Sequence, residues 1–156
     1  MTLPEFNAAP AHEAVAAMLA CCGSRRFAAA MAAGRPYASA DAAVAAVDAA
    51  FAALTWSDIR EGMNSHPRIG ARAVGQSAAE QSGVADASRA ALAAGNAEYE
   101  DRFGHVFLIC ASGLTGDQML GALRERLNNN ADIERTVAAA ELRMITRLRV
   151  AKALGS

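Results

Sequence analysis

The chain has 156 residues, with 15 Lys and Arg against 16 Asp and Glu and a formal charge of −1. That length suits one domain whose core needs no disulfide or structural metal, and the near-zero charge argues against a general nucleic-acid binder, which needs a basic field. Hydrophobic residues make up 53% of the chain, and 41 alanines account for about half of that set. Ala favours helix and disfavours strand, so an all-β fold is excluded.

The punctuation is helical in chain order. The opening Met1 to Ala14 has no basic and apolar leader pattern, so no signal peptide is expected. A first helix is predicted from Pro10, a good first-turn residue, to a stop at Gly23. Ser24 caps a short second helix that ends at Gly34, ahead of Arg35-Pro36. Ser39 or Asp41 caps a third, in which Val44, Val47, Phe51 and Leu54 form one apolar stripe. A short helix follows over Ser57 to Gly62, and then Asn64 to Gly70 reads as a loop, with Pro67 holding His66 extended.

Helical periodicity resumes after Ser77 and runs to Phe103, interrupted between Gly83 and Asp86. Val106 to Cys110 is the one β-like run, and a single apolar pentapeptide makes no sheet. It is expected to be a buried extended stretch or a buried helical turn. Thr115 caps a helix with Met119, Leu120, Leu123 and Leu127 inward, ending at Asn128-Asn129-Asn130. The last helix spans Asp132 to Leu154. The expectation is one all-α domain over residues 1–156, with about seven to nine helices.

Cys21, Cys22 and Cys110 make an odd count without a C-x-x-C spacing, which fits free thiols in a reducing cytoplasm. No run approaches the roughly 18 apolar residues of a membrane span. His12, His66 and His105 do not share metal-ligand spacing, so no metal site is expected.

Four places could carry chemistry. His66 sits in a loop, where a near-neutral pKa suits an acid/base, although a solvated loop histidine is the plainer explanation. Ser77-Ala78-Ala79-Glu80 is a capping box, which alone accounts for Ser77 and Glu80; the same helix start also suits an anion. Arg149 shares a helix side with Ala138, Leu142, Ile145 and Ala153. A guanidinium on that stripe must reach solvent or meet an anion. Arg143 and Arg147 face elsewhere and read as surface. Tyr99 and Phe103, four apart, read as core, and Gly104 frees the chain to enter the 107–111 run.

These pieces, in order, resemble the 2-oxo-4-hydroxy-4-carboxy-5-ureidoimidazoline (OHCU) decarboxylase family, whose members complete the route from urate to (S)-allantoin. The matching stretches are Cys21-Cys22-Gly23-Ser24, Arg35-Pro36-Tyr37, His66-Pro67-Arg68-Ile69-Gly70, Ser77 to Ser82, Asn96-Ala97-Glu98-Tyr99 into Phe103-Gly104, Phe107 to Ala111, and Leu148-Arg149-Val150. Each is weak alone; the ordered set is specific. Val150, where the pattern prefers Leu, is a conservative departure.

The resemblance implies an all-α fold, a homodimer and no cofactor. It implies that His66 is the catalytic acid/base, Glu80 the carboxylate beside it, and Arg149 the active-site arginine. It implies that Ser77 and Gln81 bond the substrate and that Pro67 lines the pocket. The backbone of Phe107, Leu108, Ile109, Cys110 and Ala111 would touch substrate. Two other readings use the same residues: a related lyase acting on another small ureido or keto acid, and a non-catalytic helical interaction module. A nucleic-acid role would rest only on Arg143, Arg147, Arg149 and Lys152, and no membrane association is expected.

Overall fold

The computed structural model describes residues 1–66 and 86–155, and every described element is helical. In chain order they are α1 (Leu3–Ala8), α2 (Ala11–Cys21), α3 (Arg25–Ala33), α4 (Ala40–Ala52), α5 (Trp56–Met63), α6 (Asp86–Phe103), α7 (Gly116–Arg126) and α8 (Ala131–Leu154). The all-α expectation holds among the described residues. None of these helices is long and apolar enough to cross a membrane.

Most starts follow the caps read from the sequence. The side chains of Ser24, Ser39 and Thr115 accept from the amides of Phe27, Ala42 and Gln118. Such caps satisfy amides that have no partner inside the helix, each worth about 1 kcal/mol. Three details differ. Pro10 is the N-cap of α2, and that helix closes at Cys21 rather than Gly23. Thr55, not Ser57, governs α5, through a capping box with Asp58. A helix also precedes the expected first one: Thr2 and Glu5 form a capping box that starts α1. The T-x-x-E signature of that box stands in the sequence at Thr2 to Glu5.

Contacts divide the chain into two compact units, Met1–Ser65 with Leu142–Ser156, and His66–Glu141. In the first, α2 packs on α3, and α3 on α4 and α5. Phe6, Met18, Phe27, Val47 and Leu142 are fully buried there. The α4 stripe buries Ala43, Val47, Ala50 and Phe51, whereas Val44 is half-buried and Leu54 lies past the helix end. Arg35 ties α1 to α3: Nη1 donates to the carbonyls of Phe6 and Ala9 at 2.8 and 2.7 Å, and Nε to Ala32 at 2.8 Å. Asn7 and Tyr37 exchange two bonds of 2.9 Å. The Arg35-Pro36-Tyr37 motif is therefore structural mortar. Arg143 and Arg147, expected as plain surface, both reach Asp48 of α4.

In the second unit α6 packs on α7. Leu92, Tyr99, Phe107, Ile109, Ala111, Met119 and Leu123 form its core. Gly104 ends α6 at φ +76°, a left-handed conformation that only glycine adopts cheaply, while its N–H donates to Glu100 at 2.8 Å. The run Val106 to Cys110 that follows is neither helix nor strand, which sets aside the buried helical turn that was one of the two expectations.

Candidate active site

The expected site residues fall into three groups. Pro67, Ser77, Glu80 and Gln81 lie outside the described residues, as does the expected helix start at Ser77. His66 opens the second unit and Arg149 belongs to the first. The Phe107–Ala111 strip belongs to the second.

His66 is half-buried as a residue, and its Nε2 is sheltered from solvent. It follows directly on the end of α5, and the residues beside that end explain the Cys21-Cys22-Gly23-Ser24 motif. A Cβ on Gly23 would lie 2.7 Å from Ser65 Oγ and 2.9 Å from Ser65 Cβ. A Cβ on Gly62 would meet Cys22 Sγ and Leu142 Cδ2, each at 3.0 Å. Small residues thus let the α2–α3 corner close on the segment that delivers His66. Ser65 Oγ in turn donates to the Gly62 carbonyl at 2.8 Å.

Arg149 is 8% exposed and lies on the stripe that also buries Ala138, Leu142 and Ile145, as its spacing predicts. Its charge acts on both Cys21 and Cys22. Burial pushes the Cys21 thiol up to about 11, against the opposing pull of the Arg149 guanidinium. Burial likewise raises Cys22, partly offset by bonds from Ser24 and Thr146. Both cysteines are free and buried, and burial disfavours the thiolate form of each.

In the Phe107–Ala111 strip, Phe107, Ile109 and Ala111 join the core of the second unit, and Leu108 is buried as well. Beneath it lies a polar network that the sequence reading missed. Arg126 Nη1 donates to the Leu108 carbonyl at 2.6 Å, and Nε to Glu134 Oε1 at 2.7 Å. Tyr99 donates its hydroxyl to the same carboxylate oxygen at 2.5 Å, and Asn129 Nδ2 donates to Oε2 at 3.0 Å. The guanidinium lies 4.5 Å from the Phe107 ring centroid and 5.8 Å from that of Tyr99. Burial raises the Tyr99 phenol, and the Glu134 carboxylate adds to the rise. One further stretch along α8, burial also holds the Glu141 carboxyl above its ordinary range.

The signal for this network existed. Arg126 continues the inward Met119, Leu123 row of α7, and Glu134 stands four before Ala138 on the stripe of α8. It is the same argument that singled out Arg149. Tyr99 is core, as expected, although its hydroxyl is also engaged. Among the described residues, no group of three His, Cys, Asp or Glu side chains gathers to hold a metal.

Helices throughout the described residues, with a buried arginine on the last of them, place the chain among all-α proteins, and comparison with known proteins gives it a family. The family model described as OHCU decarboxylase matches residues 7–151, and the chain belongs to that family. It is 35% identical over 144 residues to the uric acid degradation bifunctional protein TTL of Arabidopsis thaliana, covering 85% of this chain and 44% of that protein. It is 42% identical over 55 residues to 2-oxo-4-hydroxy-4-carboxy-5-ureidoimidazoline decarboxylase of Amia calva, covering 35% of this chain and 31% of that protein. The chain thus spans less than half the length of these curated relatives. A crystal structure of OHCU decarboxylase in the presence of (S)-allantoin superposes with a TM-score of 0.80 at 32% identity, covering 88% of this chain and 96% of that one. A crystal structure of (S)-allantoin synthase, at 19% identity and TM-score 0.72, covers 99% of this chain and 54% of that one and shares the fold.

Proposed function

We propose that this chain decarboxylates OHCU to (S)-allantoin in urate degradation, without a cofactor. The observation that carries the reading is the family match along residues 7–151, with the motifs in order and Arg149 buried on its stripe.

The chemistry suits these residue types. OHCU carries a carboxylate and a hydroxyl on one ring carbon, next to a ring C=N. When the bond to the carboxylate breaks, CO2 leaves and its electron pair moves toward the adjacent carbon, while the imine nitrogen accepts charge and takes up a proton from the medium. The hydroxyl loses its proton to become the ring carbonyl, and the neighbouring carbon gains one. The substrate is its own electron sink, so the protein must supply orientation and proton transfer. In this reading His66 exchanges the proton with the hydroxyl or ring nitrogen, and Glu80 holds the imidazole in one tautomer. Proton delivery to one face sets the S configuration.

Ser77, Gln81, the wall at Pro67 and the backbone of Phe107 to Ala111 hold the substrate. Arg149 binds its oxygens. A grip on the departing carboxylate alone would favour the ground state and oppose catalysis, so Arg149 orients rather than clamps it. The same reading carries a homodimer, from the resemblance, and a cytoplasmic setting, from the free thiols.

The test is the reaction of freshly generated OHCU, followed by circular dichroism. The protein should give a burst of (S)-allantoin where solution decay gives racemate. Unchanged decay and racemic product in its presence would refute the activity.

A further inference from the structure

We propose that Arg126 is a positioning residue for the Phe107–Ala111 strip, held in place by Glu134 and Tyr99. The proposal rests on the decarboxylase reading for its kinetic consequence, and on geometry alone for its structural one.

The argument begins with peptide geometry. The Leu108–Ile109 bond is trans, so the N–H of Ile109 points opposite to the C=O of Leu108. Arg126 Nη1 takes that carbonyl at 2.6 Å, from a guanidinium 8% exposed at its side chain. Fixing the carbonyl therefore fixes the direction of the Ile109 amide on the other edge of the strip. Phe107, Ile109 and Ala111 anchor the same segment through their side chains and Leu108 is buried beside them; the Arg126 bond adds a direct hold on the Leu108 carbonyl itself.

Arg126 is itself held from several sides. Glu134, fully buried, accepts from Nε at 2.7 Å, and Nη2 lies 2.6 Å from the same carboxylate oxygen within the ion pair without making a hydrogen bond. The Tyr99 hydroxyl and Asn129 amide hold the carboxylate from two further directions. The rings of Phe107 and Tyr99 face the guanidinium. A planar fork serves a carboxylate and a carbonyl at once; a lysine ammonium does not reproduce that geometry. A pair needed only for stability would be served as well by apolar residues. What a charged pair adds is a carbonyl held in one orientation, which matters where a backbone is to meet a ligand.

Two variants test this. Arg126→Met with Glu134→Gln removes both charges and keeps volume, and Tyr99 can still bond the new amide. Arg126→Lys keeps the charge opposite Glu134 but loses the fork, and decides the matter if the double variant does not fold. In a folded variant, exchange of the Ile109 and Cys110 amides should quicken by about tenfold or more. KM for OHCU should rise about tenfold with kcat within about threefold, as loss of a preorganised binding surface predicts. A role confined to stability would lower Tm and leave KM and strip exchange at wild-type values, which would overturn the proposal. If the wild-type chain does not decarboxylate OHCU, the functional reading fails by itself, and the exchange measurement still decides whether Arg126 orders the strip.

Discussion

Arg126 Nε donates to Glu134 Oε1 at 2.7 Å, and the two side chains are 8% and 0% exposed. An ion pair so far from water contributes little against an apolar substitute, but breaking it from one side strands a buried charge. Glu134→Ala should therefore cost about 3–5 kcal/mol, because buried Arg126 then loses the carboxylate it bonds. Asp48, which meets Arg143 and Arg147 on α4, is 44% exposed at its side chain. Asp48→Ala should cost less than about 1 kcal/mol, since solvent screens that cluster. Urea unfolding of the two variants compares them directly, and equal losses would contradict the contrast drawn from burial.

Gly23 admits Ser65 immediately before His66. Gly23→Ala puts a methyl where Ser65 Oγ and Cβ now lie, at 2.7 and 2.9 Å. The chain must shift there, at about 1–3 kcal/mol by overpacking. If His66 is the acid/base, its displacement should lower kcat/KM by about 10–100-fold. Adding Ser65→Gly removes the atoms that clash and should restore most of both losses. A double-mutant cycle reads this as a large coupling between positions 23 and 65, and additive losses would disprove the contact as the cause.

The thiol of Cys21 is raised from an ordinary value of 9.0 to about 11, chiefly by burial. For an acid raised on folding, the native state holds its proton longer than the unfolded chain does. Stability is therefore full below about pH 9 and falls as pH rises toward about 11. Urea midpoints across that range should decline in wild type and decline less in Cys21→Ala. In the native protein near pH 8, a thiol reagent should modify half-buried Cys110 first, with Cys21 and Cys22 reacting only on unfolding.

In the proposed reaction His66 would move a proton and Arg149 would orient the substrate, so their variants should differ. His66→Ala should lower the enzymatic rate by about 10²–10⁴-fold, the usual worth of a general acid/base, and abolish the (S) excess. Arg149→Lys keeps charge and loses the planar donor fork; it should raise KM more than it lowers kcat, with the (S) excess retained. Chirality of the product, measured by circular dichroism, separates the two. Loss of stereoselectivity in Arg149→Lys would assign that residue to proton delivery instead.

By itself the sequence determined where helices begin and which sides of them turn inward. Ser24, Ser39 and Thr115 announced starts, Gly104 announced a stop, and the 138, 142, 145, 149 spacing put Arg149 on a buried stripe. Caps and helical period are local properties, settled within a turn or two of chain. The extended strip was legible as apolar and buried, and the ordered motifs were legible as a family. Only the tertiary structure decided that Arg126 meets Glu134, Tyr99 and the Leu108 carbonyl, and that Gly23 makes room for Ser65. Period says that a side chain faces inward; it does not say what it finds there. That depends on where residues 8 to 42 positions away return, beyond the reach of a helical turn, and only tertiary packing fixes such returns.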